Sequence, residues 1–290
     1  PPAAEPAKAD SEIARFGQDS EYVLRLAADG ADRLKCWNLV YREYLNQGYT
    51  APNELQCRYS LHDALPDTAT FLIELGPESV GTVTVFPDSP LGLPADEIYR
   101  AELDGLRQAG HRPVEIGRLT IAREHANNRF ILAGLFDILF LHAREVIGAT
   151  DLVITVNPSH EKFYERMLIF QRIGTEKDLG SVRGAPAVLM KMDLDRQREM
   201  IYWAHGQGPK PAWYAGSGQV FSKFVSSPGE SVRKVEWLKG ARQRPGEQFL
   251  RQYFMEKRAL LREARETIRQ FFLDSYPTYN LGLVVVAAEK

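Results

Sequence analysis

The chain has 290 residues, 44% hydrophobic and 26% charged, with a formal net charge of −2; this describes an ordinary globular protein of one large domain, or one domain with an appendage. No apolar run reaches the roughly 18–20 residues that a membrane span needs; the longest, Phe130 to Val146, is interrupted by Asp137, His142, Arg144 and Glu145. Cys36 and Cys57 form no Cys-x-x-Cys pair and the six histidines are scattered, so the expectation is free thiols in the cytoplasm, no metal site and no nucleic-acid partner.

Residues 1–20 are expected to be a disordered lead-in, rich in Pro and Ala at the start. Glu21 to Ala28 alternates as a first strand, and Asp29 or Asp32 can cap a helix from Arg33 to Asn46. A polar connection rich in Tyr and Asn runs from Gly48 to Asp67. Thr70–Leu75 and Gly81–Phe86 form an antiparallel hairpin about the turn Gly76–Ser79. Pro87-Asp-Ser-Pro-Leu-Gly-Leu-Pro94 holds three prolines and can be neither helix nor central strand.

A short helix, Asp96–Gln108, follows, then a strand from Pro113 to Ala122 and a long helix from Arg129 to Ile147. Leu152–Val156 is a strand, and Pro158 stands at a favourable early position of the helix Ser159–Leu168. Phe170–Gly174 and Ala187–Met192 close the sheet. Residues 21–205 thus read as one mixed α/β domain. Residues 206–290 open with a Gly/Pro/Ser-rich stretch, 206–246, and continue as one long amphipathic helix, Gln248–Asp274. Residues 195–290 carry 16 basic and 10 acidic side chains, the remainder 20 and 28. The basic part is either a solvated helix face or a docking surface for an acidic partner.

The segment Pro113-Val-Glu-Ile-Gly-Arg-Leu-Thr-Ile-Ala122 is the most informative. Val114, Ile116, Leu119 and Ile121 make it a buried strand, yet Glu115 and Arg118 sit within it. An ionised carboxylate among apolar side chains costs several kcal/mol unless it is paired or has a task. One reading is a structural Glu115–Arg118 ion pair. The other is a base whose pKa burial lifts toward neutrality. Three residues along a regular strand lie on opposite faces, so a direct pair needs a bulge. Gly117 is the candidate bulge residue, and Arg118 is then expected to hold a substrate carboxylate or another acidic side chain.

The order of elements resembles the GNAT acyltransferase fold: a mixed, largely antiparallel sheet flanked by helices, here with a helical C-terminal extension. Val156-Asn-Pro-Ser-His-Glu-Lys-Phe-Tyr164 is similar to that fold's late strand–helix element, which implies Tyr164 as the proton donor to a leaving thiolate; packing of the helix on the sheet is the other role open to Phe163 and Tyr164. Glu115-Ile-Gly-Arg118 resembles the Glu-x-x-Arg of acyl-homoserine-lactone synthases. The loop Phe86–Pro94 with the acidic helix after it is similar to long-chain N-acyl amino acid synthases.

The resemblance covers about residues 22–194 and implies an N-acyltransferase that joins a long-chain fatty acyl group to the amine of an amino acid. Leu132 stands where coenzyme-A users have the first glycine of their phosphate loop. The implied donor is therefore acyl carrier protein, through its 4′-phosphopantetheine, rather than acyl-coenzyme A, with no other cofactor and no metal. Arg129 is the candidate for the pantetheine phosphate. Leu91, Leu93, Phe136 and Phe140, with Phe130, Leu132, Leu135 and Leu139, are candidates for an acyl channel. Arg233, Lys234, Lys239, Arg242, Arg244, Arg251 and Arg258 would dock the acidic carrier protein or touch an anionic membrane surface. The alternatives are a lactone synthase, a coenzyme-A-dependent acyltransferase, and a non-catalytic acyl-binding or membrane-surface module.

Overall fold

The computed structural model describes residues 12–16, 21–215, 225–241 and 244–283. Its strands are β1 (Glu12–Phe16), β2 (Tyr22–Leu26), β3 (Ala69–Leu75), β4 (Glu78–Pro87), β5 (Pro113–Ile121), β6 (Asp151–Val156), β7 (Gln171–Arg172), β8 (Lys177–Leu179) and β9 (Ala185–Asp193). They pair in the order β1-β2-β3-β4-β5-β6-β9-β7, and β8 also joins β9. All pairings are antiparallel except β5–β6.

That parallel contact is brief. Pro113 faces Asp151, Val114 faces Leu152 and Glu115 faces Val153, after which the strands part although β5 runs on to Ile121 and β6 to Val156. Parallel strands that stop pairing leave a wedge of unpaired backbone between them, and Glu115 stands at its apex.

Side-chain alternation gives the sheet two unlike faces. Phe71, Val83, Val85, Val114, Ile116, Leu152 and Ile154 point into the main core with Ile131, Leu135, Phe136 and Leu139 of α3 (Arg129–Leu141). The other face carries the Thr70–Thr84 hydroxyl pair at 3.0 Å and lies under α1 (Gly30–Asn46) and α2 (Asp96–Gln108). Asp29 begins α1 by accepting the amide of Asp32 at 2.8 Å, and Asn128 begins α3 through the amide of Phe130, side-chain caps that satisfy otherwise orphaned donors. The helix α4 (Glu161–Leu168) follows the Asn157–Pro158 turn, as expected.

Four expectations are corrected. Glu12–Phe16, inside the supposed disordered lead-in, pairs with β2 as an edge strand; residues 1–11 and 17–20 lie outside the described residues. The long helix is α-helical to Leu141 and then π-helical over His142–Ile147. A helix the pattern did not announce, α5 (Leu194–Ala204), follows β9 directly. It is capped by Asp193, which accepts the amides of Asp195 and Arg196.

The single C-terminal helix is instead broken into α7 (Glu247–Leu250), a π-helical turn Arg251–Glu256, α8 (Leu260–Glu263) and α9 (Glu266–Ser275), after α6 (Pro228–Gly240). The breaks turn Leu250, Phe254, Leu261, Ile268 and Phe272 into one cluster with Trp37, Tyr59, Ala64 and Leu65, which a straight stripe could not do. Among the described residues no helix is long and apolar enough to cross a membrane.

Candidate active site

The register between β4 and β5 steps from Thr82 opposite Thr120 to Thr84 opposite Gly117, so β5 carries one extra residue there. Arg118 sits in the bulge at φ 55°, in the left-handed region that non-glycine residues seldom occupy. The bulge was expected at Gly117; the left-handed residue is its neighbour. Gly117 answers a different demand, since a Cβ there would lie 2.7 Å from Cε2 of Phe86. Phe86 is the cross-strand partner of Glu115, and the Arg118 guanidinium lies 5.4 Å from its ring centroid. The extra residue thus returns Arg118 to the sheet face that carries Glu115.

Sharing a face does not make the two an ion pair. Glu115, 3% exposed, accepts the backbone amide of Ala95 at 2.6 Å. Burial pushes its pKa up to about 8, and the nearby Asp96 charge adds to the rise; the Ala95 amide, the Thr155 side chain and the more distant Arg118 only partly oppose it. Ala95 closes the proline-rich loop. There Asp96 accepts the Leu93 amide at 2.6 Å, and a Cβ on Gly92 would meet the same carboxylate at 2.6 Å. Arg107 fastens the arrangement by binding Asp88, Asp96 and Asp104, each at 2.6 Å. The loop that no regular structure could accommodate is what seals Glu115 from water.

Arg118 binds the buried carboxylate of Asp63 and the hydroxyl of Ser60 at 3.0 Å. Asp63 also accepts the amide of Ser60 at 2.8 Å, the reciprocal arrangement of a capping box about the single turn Leu61–Ala64. His62, in the same turn, sits edge-on to Phe86 with centroids 6.0 Å apart. Burial lowers its pKa to about 4, so its ring is neutral at ordinary pH.

Tyr164 packs from α4 against Phe136, Phe163 and Phe170. Burial raises its pKa, and Tyr44 of α1 adds to the rise, so hydroxyls from the two sides of the sheet feel each other. The guanidinium of Arg58 lies 4.8 Å from the Tyr44 ring centroid, and Arg118 is within electrostatic reach of the same hydroxyl. Arg118 thus binds Asp63 and has Tyr44 and Arg58 within electrostatic reach; Arg58 and Asp63 fall in the polar connection Gly48–Asp67 that the sequence reading left undifferentiated, and Tyr44 in the expected helix Arg33–Asn46. The only local signal was Ser60-Leu-His-Asp63, a helix-start pattern.

The other expected residues are dispersed. Leu93 belongs to a small cluster with Tyr99 and Leu103, Leu91 packs against the extension, and Phe136 and Phe140 lie in the main core. No one channel joins them. Arg129 is at the start of α3, its guanidinium 5.5 Å from the centroid of the exposed Phe130. Of the basic tail, Lys234 binds Asp137 at 2.5 Å, Arg233, Lys239, Arg244, Arg251 and Arg258 are exposed, and Arg242 lies outside the described residues. Two open clefts of about 940 and 1360 Å³ flank the sheet, neither lined by Glu115, Arg118 or Tyr164.

No curated protein matches the chain. Among solved structures it is similar to FeeM, an N-acyl amino acid synthase from uncultured soil microbes, with 28% identity and a TM-score of 0.54 over 60% of this chain and 92% of that one. It is also similar to the AHL synthase LasI (15% identity, TM-score 0.46, 60% and 90% covered) and to Escherichia coli ElaA (11%, 0.42, 60% and 99%). The family profile of N-acyl amino acid synthase FeeM matches residues 35–193. That span exceeds half the chain and runs from α1 through β9, and with it the chain belongs to the FeeM family of N-acyl amino acid synthases and is an N-acyltransferase.

Proposed function

We propose that the enzyme transfers a long-chain fatty acyl group from the 4′-phosphopantetheine thiol of acyl carrier protein to the amine of an amino acid. The observation that carries this reading is Glu115, buried at the apex of the β5–β6 wedge with its pKa near 8. A carboxyl poised there takes a proton from an amine at neutral pH far better than an ordinary glutamate, whose conjugate acid is too strong. The freed amine nitrogen then attacks the thioester carbonyl and sheds its remaining surplus proton to solvent, the carbon–sulfur bond breaks, and Tyr164 gives its hydroxyl proton to the departing thiolate and regains one from solvent. The wedge supplies unpaired strand backbone along which a pantetheine arm can lie.

Acyl carrier protein is favoured over coenzyme A because the start of α3 has Leu132 in place of a glycine, and Asn128 already occupies the Phe130 amide. Neither leaves a cradle for a pyrophosphate. Exposed Arg233, Lys239, Arg244 and Arg251 offer an acidic carrier protein a complementary surface, and contact with anionic lipid would use the same side chains. In the test, organic extracts of bacteria expressing wild type and Glu115→Gln are compared by mass spectrometry. Products spaced by two methylenes and sharing one amino-acid fragment, present only with wild type, are expected. Matching extracts, followed by no turnover of purified protein with acyl carrier protein and an amine panel, would end the proposal.

A further inference from the structure

The arginines around the 58–63 segment outnumber their carboxylates. Arg118 binds Asp63 and Ser60. Arg58 spends one nitrogen on the Ser181 carbonyl and stacks on Tyr44. Arg258, from the turn between the π-helical stretch and α8, donates to the Tyr59 carbonyl at 2.9 Å and lies 5.0 Å from the Tyr59 ring centroid. Among the described residues neither Arg58 nor Arg258 has a carboxylate within ion-pair distance, so of the three guanidinium groups Arg118 alone is paired, with Asp63. Arg58, drawn down by burial, feels both Arg118 and Arg258 as like charges. Arg58 and Arg118 are partly buried and Arg258 is exposed; a surplus of guanidinium crowded together there is costly unless an anion joins it, and each fork keeps free donors suited to a carboxylate.

We infer that Arg58 and Arg258, beside the Arg118–Asp63 pair, form the subsite that holds the acceptor's carboxylate. Arg258 is the surprising member. The family match ends at residue 193, and 92% of FeeM is covered by 60% of this chain, so the extension supplies a group that the matched span lacks. The sheet face decides between the two anions available to such a site. Arg118 shares its face with Glu115 and α1 covers it, whereas α3, where the donor phosphate is expected, packs on the opposite face. An α-amine is one carbon from its carboxylate, so a carboxylate held here carries the amine toward Glu115.

The inference rests on the proposed amino-acid acceptor and is tested on the full chain by calorimetry. The probes are a panel of N-dodecanoyl amino acids and the corresponding carboxamides, which differ only in the anionic group. Wild type is expected to bind at least one acid about tenfold or more tightly than its carboxamide. Arg58→Gln and Arg258→Gln should each remove most of that preference, while the carboxamide's affinity, an internal check on folding, moves less than about twofold. Equal binding of acid and carboxamide by wild type overturns the subsite. So does a preference that survives both substitutions, including the case in which these variants weaken only 4′-phosphopantetheine binding. Turnover without carboxylate preference sinks the subsite and spares the reaction; preference without turnover does the reverse.

Discussion

Arg118 is bound to Asp63, 55 residues upstream, while Glu115 on the same strand is bound to the backbone amide of Ala95. The bulge makes this division possible by placing both side chains on one face and then giving them different partners. One carboxylate is tied to a guanidinium. The other accepts the Ala95 amide in a dry site, where burial pushes its pKa up to about 8.

Glu115→Gln keeps the shape and removes the base. Turnover should fall 10²- to 10⁴-fold with the amine held saturating, measured with purified acyl donor. In wild type, kcat/KM should rise with pH through a midpoint near 8, the pKa to which burial lifts Glu115. Arg107→Ala should move that midpoint upward, because Asp96, whose charge already raises Glu115, would lose the guanidinium that offsets it.

The same carboxyl makes stability fall as pH rises. Between its unfolded value of 4.5 and its folded value of about 8, the native state keeps a proton that the unfolded chain has released. Its contribution is therefore complete below 4.5 and lost on passing 8. Urea titrations at pH 5 and pH 9 should show Glu115→Gln gaining on wild type at the higher pH, by an amount on the order of a few kcal/mol. A pH-independent difference would show that Glu115 does not titrate in the folded protein.

Asp63→Asn leaves the Arg118 guanidinium, nearly buried, without its anion. We expect a loss of about 3–5 kcal/mol. Asp63→Asn combined with Arg118→Gln should cost clearly less than the two single changes together, a coupling that a double-mutant cycle reads directly.

Gly117→Ala drives a methyl toward the Phe86 ring at 2.7 Å. A destabilisation of about 1–3 kcal/mol follows from overpacking, with reduced turnover because Phe86 faces Glu115 across the strands. Adding Phe86→Leu should recover part of the stability. No recovery would mean that the cost lies in the backbone.

Much of this was readable. Helix α1, the β3–β4 hairpin, α2 and β5 announce themselves by apolar period, by Asp29 as cap and by the prolines that bound them. The Glu-x-x-Arg spacing lies on β5, where Glu115 is buried and Arg118 takes the left-handed conformation. What periodicity does not carry is a non-glycine residue with positive φ, such as Arg118, or a partner chosen across the fold, such as Asp63. Alternation also cannot say which core an apolar residue enters, so Leu91, Leu93, Phe136 and Phe140 looked like one channel and lie in three clusters. The amphipathic stripe after Gln248 was real, but its folding back on Trp37 and Tyr59 depends on contacts that no local window contains.

Tyr59 donates its hydroxyl to the Tyr253 carbonyl, 194 residues on, and Tyr276 donates to the Ala64 carbonyl across 212. These bonds straddle the turn that holds Asp63. During synthesis at about 5–20 residues per second, Glu115 leaves the ribosome on the order of ten seconds before the helices that fix this turn. Contacts of such sequence separation also close slowly. The strand that carries Glu115 is thus made well before the contacts that fix the Asp63 turn beside it.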